Sequence, residues 1–349
     1  MGRWRALRKL KGVSGASGAN RVAGVEFLDA NLAEVVDGGL VRVEELLRRE
    51  VSSGYDFVTE TSLHLMEAGG KRFRPLFTLL AGQVGPRGDS PDVITAAAVV
   101  ELIHLATLYH DDVMDSATMR RGAPSANARW DNSVAILTGD YLFAHASRLV
   151  ADLGPEAVRI IADTFAELVT GQMRETRGPR AGEDPVKHYL TVVAEKTGSL
   201  IATAARYGAM FAGCPPEQVV ALRRFGEIIG TSFQVSDDVI DIASPPEDSG
   251  KTPGTDLREG IATLPMLYAA QHGGPDAERL RELLAAPLTD DALVDEALTL
   301  LRAGDGLERA RDTLREQAAQ ARDELAVLPD CPARDALASL TVFVVDRTG

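Results

Sequence analysis

The chain has 349 residues, 45% of them hydrophobic, with 37 Lys and Arg against 51 Asp and Glu, a formal net charge of −14. So acidic a balance argues against general nucleic-acid binding, and no apolar run reads as the roughly 20-residue span a membrane helix needs. Cys214 and Cys331 lack His or Cys partners at metal spacing, so they read as reduced structural thiols of a cytosolic protein, neither a disulfide framework nor a zinc site.

Taken in chain order, MGRWRALRKLKG is basic without a hydrophobic core segment, so a signal peptide is not expected. With the small-residue stretch that follows, residues 1–25 read as a flexible basic extension. Trp4, Leu7 and Leu10 could give it a weak contact with an anionic membrane surface. Residues 26–349 read as one all-α domain. Strand alternation is scarce, and Gly and Pro cluster at VGPRGDSP, TRGPRAGEDP, GCPP, SPPEDSGKTPG and QHGGPD. Between those breaks the periodicity predicts helices near 26–52, 55–68, 71–84, 92–117, 132–152, 155–177, 185–212 and 215–243. Shorter ones follow near 261–272, 275–286, 289–303, 305–328 and 331–346.

Two stretches stand out. LYHDDVMD carries Asp111, Asp112 and Asp115, and FQVSDDVID carries Asp237, Asp238 and Asp241. On a helix, i and i+4 share a face and i+1 flanks it. Three uncompensated carboxylates so placed repel one another and cost stability. Two solvated acidic patches are the bland reading, but each motif is embedded in apolar helical sequence. If the two helix ends face each other, six carboxylates line one cavity. Hard divalent cations relieve that repulsion, and Mg²⁺ is usually held by a few carboxylates together with substrate phosphates. Cations accompany the acids: Lys71, Arg72 and Arg74 in GGKRFRP, Arg120 and Arg121 in SATMRRG, Lys196 in EKTG, and Lys251 in GKTPGTDLREG. Lys and Arg complement phosphate charge, so the conjunction suggests a site for diphosphates.

The ordered set GGKRFRP, HLATLYHDDVMDSATMRRG, GQMRE, EKTGSL, GTSFQVSDDVID and GKTPGTDLREGIATLP resembles the trans-isoprenyl diphosphate synthases (polyprenyl synthetases) over roughly residues 30–345. The resemblance implies a single large helical bundle of the isoprenoid synthase type with a central cavity. An allylic diphosphate would ionise there, isopentenyl diphosphate would attack the cation, and a proton would be lost. Asp111, Asp112, Asp115, Asp237, Asp238 and, less directly, Asp241 would hold the metal, Mg²⁺, as three ions once substrate is bound. Arg120, Lys196, Thr197, Gln234 and Lys251 would grip the allylic diphosphate, with Arg120 and Lys196 also acting in catalysis. Lys71, Arg74, His104 and Arg121 would grip isopentenyl diphosphate. Glu175 is the acidic candidate after Gln172, His110 could support Asp111, and GKTPG reads as a mobile lid. A homodimer is expected by resemblance only.

Thr107 and Ala106, four and five positions before Asp111, would set product length, with a floor near Ile103 and Val100 and a facing helix near Ser133 to Leu137. Short-chain members often carry an aromatic residue there or an insertion in the motif; this chain has neither. A medium- or long-chain product is expected, of the kind used for a quinone side chain, unless Tyr109 intrudes. The alternatives are a farnesyl or geranylgeranyl diphosphate synthase, a terpene cyclase, or a non-catalytic regulatory subunit of a heteromeric synthase.

Overall fold

The computed structural model describes residues 20–244, 253–271 and 274–347. Strands β1 (Asn20–Val22) and β2 (Val25–Phe27) pair antiparallel, with Arg21 opposite Glu26. Ala23 and Gly24 turn the chain at positive φ, the combination that matches a tight hairpin to the twist of its strands. Val22, Val25 and Phe27 are buried. Residues 20–25 therefore belong to the folded body, contrary to the expected extension, and the first helix starts at Ala30 rather than near 26. Residues 1–19, with the proposed membrane contact, lie outside the described residues.

Helix α1 (Ala30–Val51) starts where the Asp29 carboxylate accepts the Leu32 amide at 2.7 Å. Helices α2 (Asp56–Glu67), α3 (Phe73–Gly82) and α4 (Pro91–Met114) follow. Ser90 caps α4, and Pro91 supplies the fixed φ of a helix start. By length and composition α4 is apolar enough to cross a membrane, which the sequence reading did not expect. Most of it is buried against other helices, so it is the central helix of a bundle.

A second hairpin, β3 (Met119–Arg120) with β4 (Ala123–Pro124), leads into the single turn α5 (Ala126–Arg129). Helices α6 (Asn132–Asp152) and α7 (Pro155–Arg177) fall on the expected spans. The helix expected over 185–212 is split into α8 (Pro185–Val193), a π-helical turn at Ala194–Gly198, and α9 (Ser199–Ala212). Helix α10 (Pro216–Ala243) is followed by α11 (Thr255–Glu259), α12 (Leu264–Ala270), α13 (Pro275–Leu283) and α14 (Asp291–Ala303). Helix α15 (Gly306–Glu324) ends in a 3₁₀ turn at Leu325–Val327, before α16 (Pro332–Asp346).

Helix α4 packs on α6, α9, α3 and α1, and α9 lies between α3 and α10. The α3–α9 approach requires glycine: a Cβ on Gly208 would overlap the Thr78 carbonyl oxygen. Two apolar cores form. Helix α10 joins them, giving Leu222, Phe225 and Ile229 to the first and Val235, Val239 and Ile242 to the second. Both aspartate motifs sit in the last turns of their helices, α4 and α10. Those are the negative ends of the helix dipoles, so the carboxylates need cations there.

Candidate active site

The two motifs come near one another at Glu259, at the end of α11. Its carboxyl is pushed up by burial and by the charges of both Asp115 and Asp241, against the pull of Arg120 and Lys196. Asp111 is half-buried, and its pKa rises to about 6 through burial and the neighbouring Asp115, opposed by Lys196 and Arg120. The structure thus brings Asp111, Asp115, Asp241, Arg120, Lys196 and Glu259 around a common space.

The six aspartates are not equivalent. Asp112 is fully buried; its Oδ1 accepts from Arg120 Nε at 2.6 Å, while its buried Oδ2 has no protein partner. Asp238 is also buried. It accepts a short hydrogen bond from the Tyr189 hydroxyl and another from Gln234 Nε2 at 3.0 Å. Burial, with Asp237 and Asp241 nearby, lifts it to about 7 despite those bonds. Asp241 accepts the backbone amides of Thr255 and Asp256 at 3.1 and 3.2 Å, so its carboxylate starts α11. Asp115 is exposed, and Asp111 and Asp237 are half-buried. Among the described residues no three acidic or histidine side chains converge tightly enough to hold an ion alone. This donor set suits Mg²⁺, which takes one or two carboxylates plus water and phosphate oxygens. Asp111, Asp115 and Asp237 would hold it.

Lys196 sits on the π turn, the kind of helix irregularity that often marks functional sites. Its Nζ donates to Glu175 Oε2 at 2.5 Å, which brings the GQMRE and EKTG motifs together. Gly171 lets α7 pass under that turn, since a Cβ there would lie 2.6 Å from the Lys196 amide nitrogen. Thr197 is half-buried beside it. Gln234, expected on the allylic diphosphate, gives its amide to Asp238 instead. Lys251 and most of the GKTPG segment lie outside the described residues.

A second cluster is cationic. Lys71 is exposed, Arg74, Arg121 and His104 are half-buried, and four arginines act on the His104 ring. Burial first, then Arg74, Arg121, Arg72 and Arg120, hold that imidazole well below its usual range, so it is neutral. The buried Nε of Arg74 has no hydrogen-bond partner. Burial, with Arg121 beside it, brings Arg74 down to about 10 against the pull of Glu101. Lys71, Arg74 and Arg121, with a neutral His104 beside them and a partnerless Arg74 Nε, suit an anion.

Sequence reasoning missed Glu44, Glu101, Tyr189, Glu259 and Arg347. Glu101 alone had a legible signal: it is the one charged residue in the apolar run ITAAAVVELIHLATLY, and a buried charge requires partners. Arg347 at the end of the described chain is almost wholly buried. It donates to the Phe233 carbonyl and Ser236 Oγ, both at 2.8 Å, lies over the Phe233 ring, and pairs with Asp237 at 2.7 Å.

For chain length, Ala106 and Ile103 are buried, and Thr107 is half-buried with its hydroxyl on the His104 carbonyl at 2.8 Å. Tyr109 does not intrude: its hydroxyl donates to the Thr61 carbonyl at 2.5 Å, inside α2. Of the expected facing segment, Ala135 is buried and the Ile136 carbonyl lies 3.2 Å from His110 Nε2, while the Ile136 and Leu137 side chains are exposed; Gly139, one turn on, meets the Ala106 carbonyl and His110.

A helical bundle with two aspartate-bearing helix ends beside a cluster of arginines has the makings of an enzyme site for phosphorylated substrates. Residues 56–301 match the polyprenyl synthetase family model, and the chain belongs to that family. It is 61% identical over 331 residues to the nonaprenyl diphosphate synthase of Mycobacterium tuberculosis, covering 95% of this chain and 99% of that one. Among solved structures, the geranylgeranyl pyrophosphate synthase of Corynebacterium glutamicum, complexed with calcium and isoprenyl diphosphate, superposes with a TM-score of 0.84. It is 52% identical, over 93% of this chain and 100% of that one. A decaprenyl diphosphate synthase from Rhodobacter capsulatus superposes at 0.83 with 34% identity, over 91% and 99%.

Proposed function

We propose that this protein is a trans-prenyltransferase that condenses isopentenyl diphosphate with an allylic diphosphate and repeats the step to a medium or long all-trans polyprenyl diphosphate. The reading rests on one juxtaposition above others: Arg120, on Asp112 at 2.6 Å, is followed by Arg121, which reaches the Gly69 carbonyl at 2.6 Å, so the first acidic helix end and the arginine cluster around His104 are neighbours, one suited to a metal-bound diphosphate and the other to a bare one. Divalent metal, which we take to be Mg²⁺ as three ions with substrate, would supply Lewis-acid polarisation of the departing diphosphate. Asp111, Asp115 and Asp237 would hold it. Lys196 and Arg120, prepositioned by Glu175 and Asp112, stabilise the negative charge that develops on the leaving group. Lys71, Arg74, Arg121 and neutral His104 hold isopentenyl diphosphate at the other end. No side-chain base is needed, because the departing diphosphate can take the proton. The apolar walls from α4 exclude water that would quench the cation.

The short side chains at Ala106 and Thr107, with Tyr109 turned away, leave room for a lengthening tail. This favours the long-chain reading, as does the similarity to the nonaprenyl synthase. The geranylgeranyl synthase at 52% identity supports a second, shorter-product reading. The test is incubation with labelled isopentenyl diphosphate, Mg²⁺ and each allylic primer, with products sized by chromatography. Chains of about seven isoprene units or more support the first reading, and arrest at four units the second. Consumption of the allylic diphosphate alone would indicate a cyclase. Product formed only with an added partner chain would indicate a regulatory subunit. A cytoplasmic homodimer completes the proposal.

A further inference from the structure

We propose that Glu101 is a positioning residue for isopentenyl diphosphate, a buried counter-charge that holds Arg72 and, across Gly70, Arg121 in the geometry the diphosphate meets. The inference rests on the assignment of that substrate to the cationic cluster.

Glu101 is 2% exposed and lies one turn before His104 on α4, so both face the same side. Its Oε1 is 3.4 Å from Arg72 Nη1, and Arg121 and Arg74 also act on its charge. Arg72 cannot serve a substrate. Its donors go to Glu44 at 3.0 Å, to Glu101, and to the carbonyls of Gly69 and Met66 at 3.2 and 2.9 Å. It is a strut. Arg121 spends Nη1 on the Leu65 and Gly69 carbonyls at 2.9 and 2.6 Å. The two arginines meet over Gly70, where a Cβ would lie 2.9 Å from Arg121 Cζ and from Arg72 Nη1.

Two of these arginines are strained. Arg72 has φ 51 and Arg121 has φ 54, the left-handed region that non-glycine residues rarely occupy. Such a conformation persists only where the surroundings enforce it. For Arg121 the β3–β4 turn, which it forms with Gly122, enforces it; Arg72 stands at the start of α3, held by its bonds to Glu44, Glu101 and the Gly69 and Met66 carbonyls. Three arginines against Glu44 and Glu101 leave the cluster net positive, and the Arg74 Nε is left without a protein partner. Removing the Glu101 charge would leave three crowded cations free to move apart, and the site would lose its shape before any phosphate arrived.

The test is Glu101→Gln and Glu101→Asp, with each substrate varied at saturation of the other. KM for isopentenyl diphosphate should rise about tenfold or more in Glu101→Gln, as loss of one partner of a buried charge pair implies. KM for the allylic diphosphate should stay within about twofold, and Glu101→Asp should recover part of the loss. Calorimetric binding of inorganic pyrophosphate without metal should weaken in parallel. Should Glu101→Gln fail to fold, Glu44→Gln, nearer the surface, should raise the same KM by a few-fold. Equal rises in both KM values, or an unchanged KM with only a lower melting temperature, overturn the proposal. Wild-type condensation in the same assay tests the functional reading separately.

Discussion

Asp238 gives the sharpest test of the site's electrostatics. Its carboxyl sits between Tyr189 and Gln234 and is lifted from an ordinary 3.8 to about 7 by burial and by Asp237 and Asp241. Ionising it in the folded protein at neutral pH therefore costs roughly 4 kcal/mol relative to the unfolded chain. Asparagine has the same shape, lacks the charge, and can still bond to both neighbours if the Gln234 amide turns. Between pH 4 and 7 the folded wild-type protein holds a proton here that the unfolded chain has lost, so its stability falls as pH rises through that window. Asp238→Asn lacks this loss. In metal-free buffer the two proteins should melt together near pH 4, and the variant should melt several degrees higher by pH 7.5, even if only about half of the cost is realised. Thermal unfolding followed by circular dichroism in EDTA from pH 4 to 8 reads this directly. Mg²⁺ with inorganic pyrophosphate should then close the gap, because bound cation favours the ionised form. A melting difference that does not change with pH would refute the argument.

Arg347 competes with metal for Asp237, so Arg347→Ala should lower the Mg²⁺ concentration for half-maximal binding, titrated calorimetrically with pyrophosphate, by a few-fold. The same change should reduce stability by about 1–3 kcal/mol, since Arg347 also bonds Ser236 and the Phe233 carbonyl. Gly208→Ala should destabilise more than Gly139→Ala in urea unfolding. The first meets the fixed Thr78 carbonyl, whereas the second meets chiefly the His110 ring, which can turn. Ala106→Phe should shorten the product in the chromatographic assay and cost roughly 1–3 kcal/mol from overpacking against α6; unchanged length would remove Ala106 from the wall of the channel.

The bundle was legible because helices announce themselves locally. Ser90–Pro91 before an apolar run, or Gly154–Pro155, marks a helix start without tertiary context. The π turn at Ala194–Gly198 was not legible, since EKTG has ordinary helical composition and its widening comes from Gly171 and α7 beneath it. The β1–β2 hairpin was missed because Val22, Val25 and Phe27 are strand residues only by virtue of packing on the bundle. In the site, pairs separated by three or four residues were readable and distant ones were not. Asp111 with Asp115 follows from periodicity. Tyr189 on Asp238, Arg347 on Asp237 and Glu101 under Arg72 depend on a fold that brings together residues far apart in sequence.

That distinction explains how two nearly identical motifs divide their work. In each, spacing alone makes three aspartates equivalent, and packing then makes them unequal. Asp112 is drawn inward by Arg120, Asp238 by Tyr189 and Gln234, and Asp241 by the first amides of α11. Each inward carboxylate fixes an element that carries another functional group: the β3–β4 hairpin with Arg120 and Arg121, the α8 segment leading to Lys196, and the α11 turn ending at Glu259. The outward carboxylates, Asp111, Asp115 and Asp237, keep oxygens for cations. Half of the acidic charge therefore builds the frame that aims the other half. It follows that neutralising an inward aspartate should disturb the cationic groups as much as the metal, whereas neutralising Asp115 should disturb chiefly the metal and neutralising Asp237 should also release Arg347.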